Sequence, residues 1–190
     1  MKPPKLINQI VPLDRQQWQG HRLAFHYVSH AYYDVEIDRT GNDFRVSFVK
    51  KLFDTPFEKT PDDDDKLFQP WWDDAKAWGI VENGLLVAVV ETALEGWSNR
   101  LRVTELWVDD AYRRMGIGKA LMDVAVKRAR EEKRRALMLE TQSCNEGAIA
   151  FYLAYGFTLI GFDACSYSNN DLGRKEVRME LGIFLETEGA

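Results

Sequence analysis

Two glycines, Gly116 and Gly118, stand where a strand-like segment gives way to a helix-like one, and this placement is typical of an anion site. Val103–Val108 has the apolar and β-branched composition of a strand, and the residues after the glycines repeat apolar side chains at a helical spacing. A glycine turn at a helix start leaves backbone N–H groups without intrahelical partners, at the positive end of the helix dipole. The stretch 113–120 is therefore predicted to bind a phosphate group.

Two common nucleotide-binding loops do not fit this spacing. A Walker loop carries a glycine five residues before its Gly-Lys pair and a serine or threonine after it, whereas here Arg113 and Ala120 occupy those positions. A dinucleotide-binding loop needs a third small residue for close packing of helix and strand, and Leu121 is too bulky for that position. The remaining pattern is Arg-x-x-Gly-x-Gly after a strand.

A second group of residues follows a predicted buried strand, Leu137–Thr141. Asn145 begins the next apolar segment, Tyr152 follows seven residues later, and a Tyr-Gly-Phe turn at 155–157 ends it. The two groups together resemble the GNAT N-acetyltransferase superfamily over about residues 77–181. In that family the Arg-x-x-Gly-x-Gly pattern binds the pyrophosphate of acyl-CoA, and the asparagine opens the helix after the fifth strand.

The resemblance implies an α/β (α+β) fold with a mixed, mostly antiparallel sheet of six to seven strands. The sheet is expected to split into a V and to carry about four flanking helices. A single acetyltransferase domain is expected over residues 1–190, with a variable part at 1–75 and an acyl-CoA-binding core at 77–181. Acetyl-CoA is the implied cosubstrate, and no metal is expected.

Amine acetylation needs a neutral amine, so a carboxylate must take the ammonium proton, directly or through water. Glu105, in the strand before the phosphate loop, is the first candidate for this base and for a substrate contact, because related small-amine acetyltransferases carry acidic residues there. Glu91 is the second candidate, and a surface salt bridge is the alternative role for Glu105. Tyr152 matches the family tyrosine that protonates the CoA sulfur; its alternative is packing on the buried face of its helix.

The resemblance assigns much of cofactor binding to main-chain groups, which a bulge before the phosphate loop exposes to pantetheine. Asn145 is predicted to bind pantetheine, to cap its helix, or to do both. Lys119 is the first candidate for the 3′-phosphate of CoA, with Lys127 and Arg128 beside it; a solvated basic face is the alternative. The predicted cofactor-binding residues are Leu106, Trp107, Val108, Arg113, Arg114, Met115, Gly116, Ile117, Gly118, Lys119, Asn145, Ala148 and Tyr152.

Within the family, several downstream segments resemble the streptothricin acetyltransferases, which acetylate the β-lysine amine of a cationic antibiotic. These segments are 139–142, 151–152, 156–157, 161–163 and 166–167. Two features depart from that pattern: the last strand, 177–181, is less aromatic, and Cys144 replaces a more usual asparagine. The expected acceptor is a small cationic amine, acetylated by direct transfer. The alternatives are a protein N-terminus or lysine, and a non-catalytic acyl-CoA sensor.

Composition agrees with a small enzyme. The formal charge of −5 over 190 residues argues against a nucleic-acid partner and permits a cationic substrate. No apolar run reaches the ~20 residues of a membrane span and no signal-peptide region is evident, so no membrane partner and a cytoplasmic setting are expected. Cys144 and Cys165 lack disulfide-framework and metal-site spacing. A monomer or homodimer is expected.

The acidic run 62–65 near Trp71 and Trp72 is a candidate contact for a polycation. The alternative is that this run is a solvated loop.

Turn signals and periodicity place the elements that must position these residues. A Gly-Asn turn at 41–42 and an Asn-Gly turn at 83–84 each predict a hairpin. Segment 6–13 is predicted as a short strand, and 15–31 as mixed and weakly helical. The remaining predicted strands are 33–37, 44–48, 78–82, 85–91, 102–108, 137–141, 158–162 and 176–181, and the predicted helices are 116–133 and 145–155.

Overall fold

The computed structural model describes residues 4–60 and 65–185. Within them the chain forms helices α1 to α5 and strands β1 to β9. In chain order these are α1 Pro4–Ile7, β1 Val11–Pro12, α2 Arg15–Trp18, β2 Tyr27–Thr40, β3 Asp43–Lys59, β4 Asp73–Glu82, β5 Leu85–Glu95, β6 Arg100–Val108, α3 Ile117–Glu131, β7 Ala136–Gln142, α4 Glu146–Tyr155, β8 Thr158–Asp163, α5 Asp171–Arg174 and β9 Arg178–Phe184.

The strands form a seven-stranded sheet, in the order β1-β4-β5-β6-β7-β9-β8, and a separate two-stranded sheet of β2 and β3. Strands β4, β5 and β6 are antiparallel neighbours, whereas β6 and β7 are parallel and pair only from Arg100–Ala136 to Arg102–Met138. A pairing that stops after three residues is what a split sheet requires. The predicted mixed, mostly antiparallel sheet is confirmed, and three of the five helices are single turns.

The described residues pack as two compact units. Unit 1 lies in Met1–Phe25, Pro61–Leu139 and Ile183–Ala190, and unit 2 in His26–Thr60 and Glu140–Gly182. The divisions fall within β7 and within β9. The prediction of one domain over 1–190, with the boundary of its core at 77, stays a prediction.

Strand β5 is the centre of unit 1, and its residues 86–93 are all buried. A run that is buried at every position fits a strand that is covered on both faces. Helix α3 packs on β4, β5 and β6. A hydrophobic cluster contains Trp107, Val89 and Ala93 together with residues brought in by the preceding segments, namely Leu13, Trp18, Leu23, Leu67 and Phe68.

The N-terminal segment of unit 1 differs from its predicted structure. The strand expected at 6–13 is wrong for most of its length, because residues 4–7 form α1 and only Val11 and Pro12 pair, with β4. In this pairing Val11 is opposite Gly79, where an added Cβ would lie 2.6 Å from the Ala88 carbonyl oxygen of β5 and 3.1 Å from the Leu13 side chain. Helix α2 is the helical part of the mixed segment: Asp14 caps it by accepting from the Gln16 N–H.

Unit 2 contains the β2–β3 hairpin, whose turn is at the predicted Gly-Asn pair. The strands have 14 and 17 residues, where five each are predicted, since their outer halves are largely exposed and lack a clear apolar alternation. The Tyr33 N–H donates to the Ser143 carbonyl oxygen at 2.9 Å, and Lys50 pairs with Glu146 at 2.6 Å. These contacts attach the hairpin to the start of α4.

Candidate active site

The predicted anion-binding turn is present at the start of α3. A 3₁₀ turn at Asp110–Tyr112 follows β6, and Gly116 then caps α3 in the left-handed conformation, with φ 79°. Arg114 is also left-handed, with φ 60°. No side chain caps this helix, and the first N–H groups of a helix have no intrahelical partner. The α3 N-terminus thus has the backbone geometry expected of an anion-binding turn, and the binding itself stays a prediction.

Arg113 and Lys119 flank this turn. The Arg113 Nε–H donates to the Val108 carbonyl oxygen at 3.2 Å, and its guanidinium pairs with Asp110 at 2.8 Å. Arg113 thus ties the turn to the end of β6. Lys119 pairs with Asp123 at 3.0 Å on the exposed face of α3, as Lys127 does with Glu131 at 3.7 Å.

Arg128 does not belong to that exposed basic face, and its predicted place there is wrong. Its side chain is buried because its guanidinium donates to the Thr92 carbonyl and hydroxyl oxygens, at 2.7 and 2.8 Å, and pairs with Asp74 at 2.9 Å. A buried arginine with several partners fixes the elements it joins. Arg128 holds the C-terminal half of α3 against β4 and β5.

A bulge in β6 sets the face on which Glu105 lies. Glu91 pairs with Glu105 and Thr92 with Val103, so Thr104 is an extra residue in β6. Side chains of directly opposed residues lie on one face of the sheet; Glu91, Glu105 and Trp107 therefore share a face. The Trp107 indole N–H donates to the Ala24 carbonyl oxygen at 3.1 Å.

Glu91 is fully buried on that face. One carboxylate oxygen accepts from the Thr104 hydroxyl at 2.8 Å, and the other accepts from the Phe68 N–H at 2.6 Å. Burial raises the pKa of this carboxyl above its ordinary value, and the two hydrogen bonds oppose the shift. Glu105 is half-buried. Of the two predicted carboxylates, Glu105 is thus the one with solvent-accessible surface.

Unit 2 contains the other predicted residues. The Asn145 side chain accepts from the Ala148 N–H at 3.2 Å, which confirms its predicted role as the cap of α4. Gly156 ends the helix with φ 114°, as predicted. Tyr152 is half-buried on α4, and its ring lies 5.4 Å from that of Phe151 and 5.7 Å from that of Phe157. These aromatic contacts restrict the orientation of the phenol.

A polar cluster that the sequence does not indicate lies beside Cys144. The Tyr27 hydroxyl donates to Gln142 at 3.1 Å and lies 3.7 Å from the Cys144 sulfur. Cys144 is fully buried, and burial raises the pKa of its thiol to about 11. Burial also raises the pKa values of Tyr27 and Tyr167. Tyr27 lies over a hundred residues from its partners in sequence, so no local pattern could have indicated the contact.

No group of three or more His, Cys, Asp or Glu side chains at 4–60 or 65–185 is arranged to hold a metal. No helix in the described part of the chain is long and apolar enough to cross a membrane. Most of the acidic run, residues 62–64, lies outside the described residues.

Residues 46–157 match the sequence profile of the acetyltransferase (GNAT) family. The chain is 29% identical over 125 residues to streptothricin acetyltransferase A of Bacillus subtilis (strain 168), with 65% of this chain and 71% of that protein covered. It is 30% identical over 138 residues to the streptothricin acetyltransferase of Streptomyces lavendulae, with 70% of this chain and 72% of that protein covered.

The fold is similar to the crystal structure of nourseothricin acetyltransferase. The two superpose with a TM-score of 0.72 at 25% sequence identity, and the match covers 93% of this chain and 98% of the other. The match thus extends well beyond the segment that fits the family profile.

Proposed function

The chain belongs to the GNAT acetyltransferase family, and on that premise we propose that it acetylates a primary amine of a small cationic molecule, with streptothricin-type antibiotics as the first candidates. The chain is an acetyl-CoA-dependent N-acetyltransferase. The observation that carries the proposal is the uncapped N-terminus of α3 behind the bulged strand β6. This turn supplies the N–H groups for the CoA pyrophosphate.

The main-chain groups of Leu106–Val108 and the turn 113–119 are proposed to hold acetyl-CoA. Arg113 keeps the turn at the end of β6 through the Val108 carbonyl. Lys119 remains the candidate for the 3′-phosphate, since it lies on the exposed face in the first turns of α3. Asn145 and Ala148 are assigned to pantetheine only by the family motif that they match.

We expect Gly116→Ala to weaken acetyl-CoA binding. Alanine in the left-handed conformation costs about 1–2 kcal/mol, and relaxing it would rotate the first N–H groups of α3. The KM for acetyl-CoA should then rise about 10-fold with a smaller change in kcat. Steady-state kinetics at saturating amine measures both constants.

Gly84→Ala is the matched control, because Gly84 has φ 81° and an added Cβ meets no atom within 4 Å. It introduces the same strain in a hairpin turn outside the predicted cofactor site. The KM for acetyl-CoA should stay unchanged in this variant. An unchanged KM in Gly116→Ala as well would remove the turn from the cofactor site.

For the chemistry, we assign the proton acceptor to Glu105 and the acid for the CoA sulfur to Tyr152. The amine must lose a proton before it attacks the thioester, and the departing thiolate must gain one. The half-buried Glu105 follows the bulge on the strand that leads into the phosphate turn. Tyr152 lies on α4, and its ring contacts two aromatic side chains, Phe151 and Phe157.

Transfer is proposed to be direct, without an acetyl-cysteine intermediate. Only a thiolate is a good nucleophile, and burial raises the pKa of Cys144 to about 11. The pKa of the exposed Cys165 is also raised, chiefly by its hydrogen bond to Asp163. We therefore expect the double variant Cys144→Ala, Cys165→Ser to keep kcat within about threefold of wild type. Stopped-flow kinetics should show no burst of CoA; loss of turnover with an intact fold would contradict direct transfer.

The acceptor assignment is supported by the two curated relatives, both named streptothricin acetyltransferases. The net charge of −5 is compatible with a polycationic antibiotic, which carries protonated amines at neutral pH. A peptide substrate is the alternative that the experiment must exclude.

The test is a panel of amines incubated with acetyl-CoA while release of free CoA thiol is recorded. The panel contains streptothricin, an aminoglycoside, a polyamine and peptides with free N-termini or lysines. The Cys165→Ser variant lowers the background from the one exposed protein thiol in the described residues. The proposal expects streptothricin to give the highest kcat/KM. Faster turnover of peptides would overturn the acceptor, and no release with any amine would overturn catalysis.

A further inference from the structure

The bulge in β6 decides on which face of the sheet Glu105 lies. Before the bulge Thr92 pairs with Val103, and after it Glu91 pairs with Glu105. Without the extra residue, Thr104 would oppose Glu91 and Glu105 would oppose Val90. A shift of one residue turns every later side chain to the other face. Glu105 would then share the face of Thr92, whose hydroxyl contacts Arg128 of α3.

Thr104, the extra residue, is held by a side chain of the neighbouring strand. Its hydroxyl donates to Glu91 at 2.8 Å. A bulged residue loses its place in the ladder, so this bond replaces part of the interaction that regular pairing would give. Glu91 is fully buried, whereas carboxylates are rarely buried without hydrogen-bonding partners.

The second oxygen of Glu91 joins the bulge to a segment on the same face. It accepts the Phe68 N–H at 2.6 Å, and Phe68 has φ 56°, a strained conformation for a residue with a side chain. Leu67 exchanges backbone hydrogen bonds with the segment Gly20–His21. The Arg15 guanidinium lies 5.8 Å from the centre of the Phe68 ring. One carboxylate thus connects β5, the bulge and the segment that covers this face.

We propose that Glu91 is a positioning residue whose carboxylate holds the bulge at Thr104 and so presents Glu105 to the substrate. The proposal rests on the assignment of Glu105 as proton acceptor. It replaces the sequence-based expectation that Glu91 contacts the substrate or acts as a second base, because both its oxygens accept internal hydrogen bonds and its side chain is buried.

The test separates the effect of the Thr104 hydroxyl from the effects of the charge and the shape of the Glu91 side chain. Thr104→Val removes only the hydroxyl donor, and we expect kcat to fall about 10-fold with a smaller change in the KM for acetyl-CoA. Thr104→Ser keeps the donor and should restore kcat to within about threefold. Glu91→Gln retains an oxygen for the Phe68 N–H and an amide that can donate to Thr104, so it should also keep kcat within about threefold.

Thr92→Val is the matched control. Thr92 is a buried β5 residue next to Glu91, and its hydroxyl accepts from Arg128 rather than from the bulge. This variant should lower the unfolding midpoint and leave kcat unchanged when assayed well below that midpoint. Equal kcat in Thr104→Val and wild type would overturn the proposal. So would a large loss in Glu91→Gln that high pH restores, since that result marks Glu91 as the base.

The experiments distinguish failure of the positioning role of Glu91 from failure of the proposed function. If Glu105→Gln loses activity while Thr104→Val does not, only the positioning role of Glu91 is overturned. If Glu105→Gln is fully active, the assignment of the base is overturned first. Thermal unfolding of each variant checks that the fold is intact, and the serine and glutamine variants keep the test decisive if Thr104→Val does not fold.

Discussion

Tyr152→Phe should lower kcat by about 10²- to 10³-fold, because general acid catalysis contributes about 10²- to 10⁴-fold and only the phenolic hydroxyl is removed. The ring contacts with Phe151 and Phe157 do not depend on that hydroxyl. The dissociation constant of acetyl-CoA should therefore change by less than about threefold. Steady-state kinetics and calorimetric titration with acetyl-CoA measure the two effects.

Tyr155→Phe provides a control on the same helix. The Tyr155 ring also packs on Phe151 and Phe157, at 6.4 and 5.9 Å between ring centres. Removal of this second phenol should leave kcat unchanged if the Tyr152 effect is chemical. Unchanged turnover in Tyr152→Phe, or equal losses in both variants, would remove Tyr152 as the acid.

Glu105→Gln is expected to lower kcat/KM for the amine by about 10²-fold or more at neutral pH, since the amide cannot accept the ammonium proton. The deficit should shrink as pH rises. Without the base only the neutral amine reacts, and its fraction increases about 10-fold per pH unit below an amine pKa of about 10. A pH series of kcat/KM for wild type and variant measures this convergence.

The same series separates a base from a binding carboxylate. If Glu105 only attracted the cationic substrate, the variant would have a raised KM for the amine and an unchanged kcat. Below the amine pKa, the pH profiles of kcat/KM for wild type and variant would then run parallel instead of approaching each other. Parallel profiles would contradict the assignment of Glu105 as proton acceptor.

Much of the fold could be predicted because its signals are local. The Asn-Gly pair at 83–84 marks the turn between β4 and β5, and its residues take the left-handed conformation that such a turn requires. Asn145 and Gly156 bound α4 as its caps. The apolar repeat from Ile117 predicts α3 to within two residues at its C-terminus. Each of these follows from neighbours within a few positions.

The parts that could not be predicted depend on long-range contacts. Arginine is usually a surface residue, yet the Arg128 guanidinium is buried because it has partners on β4 and β5. Glu91 lies in an apolar run that indicates only a buried strand, and its bond to Phe68 spans 23 residues. The short pairing of Val11 and Pro12 has its partners in β4, at Gly79 and Trp78. The partners of these residues are too distant in sequence for a local pattern to indicate them.

The candidate site was predicted unevenly for the same reason. The glycine turn before α3 and the Asn145 cap of α4 are local sequence motifs, and both are present in the backbone as helix starts. The face of Glu105 depends on the bulge, and a bulge depends on the register between two strands. Alternation along β6 alone could not have placed Glu105 and Glu91 on one face.

Mass spectrometry of streptothricin after incubation with acetyl-CoA and the protein tests the central claim most directly. The proposed function predicts a product that is heavier by one acetyl group, with fragmentation that places the group on the β-lysine amine. Boiled protein, and Tyr152→Phe at the same incubation time, should give little product. Release of CoA without an acetylated antibiotic, or acetylation of peptides alone, would contradict the proposed acceptor.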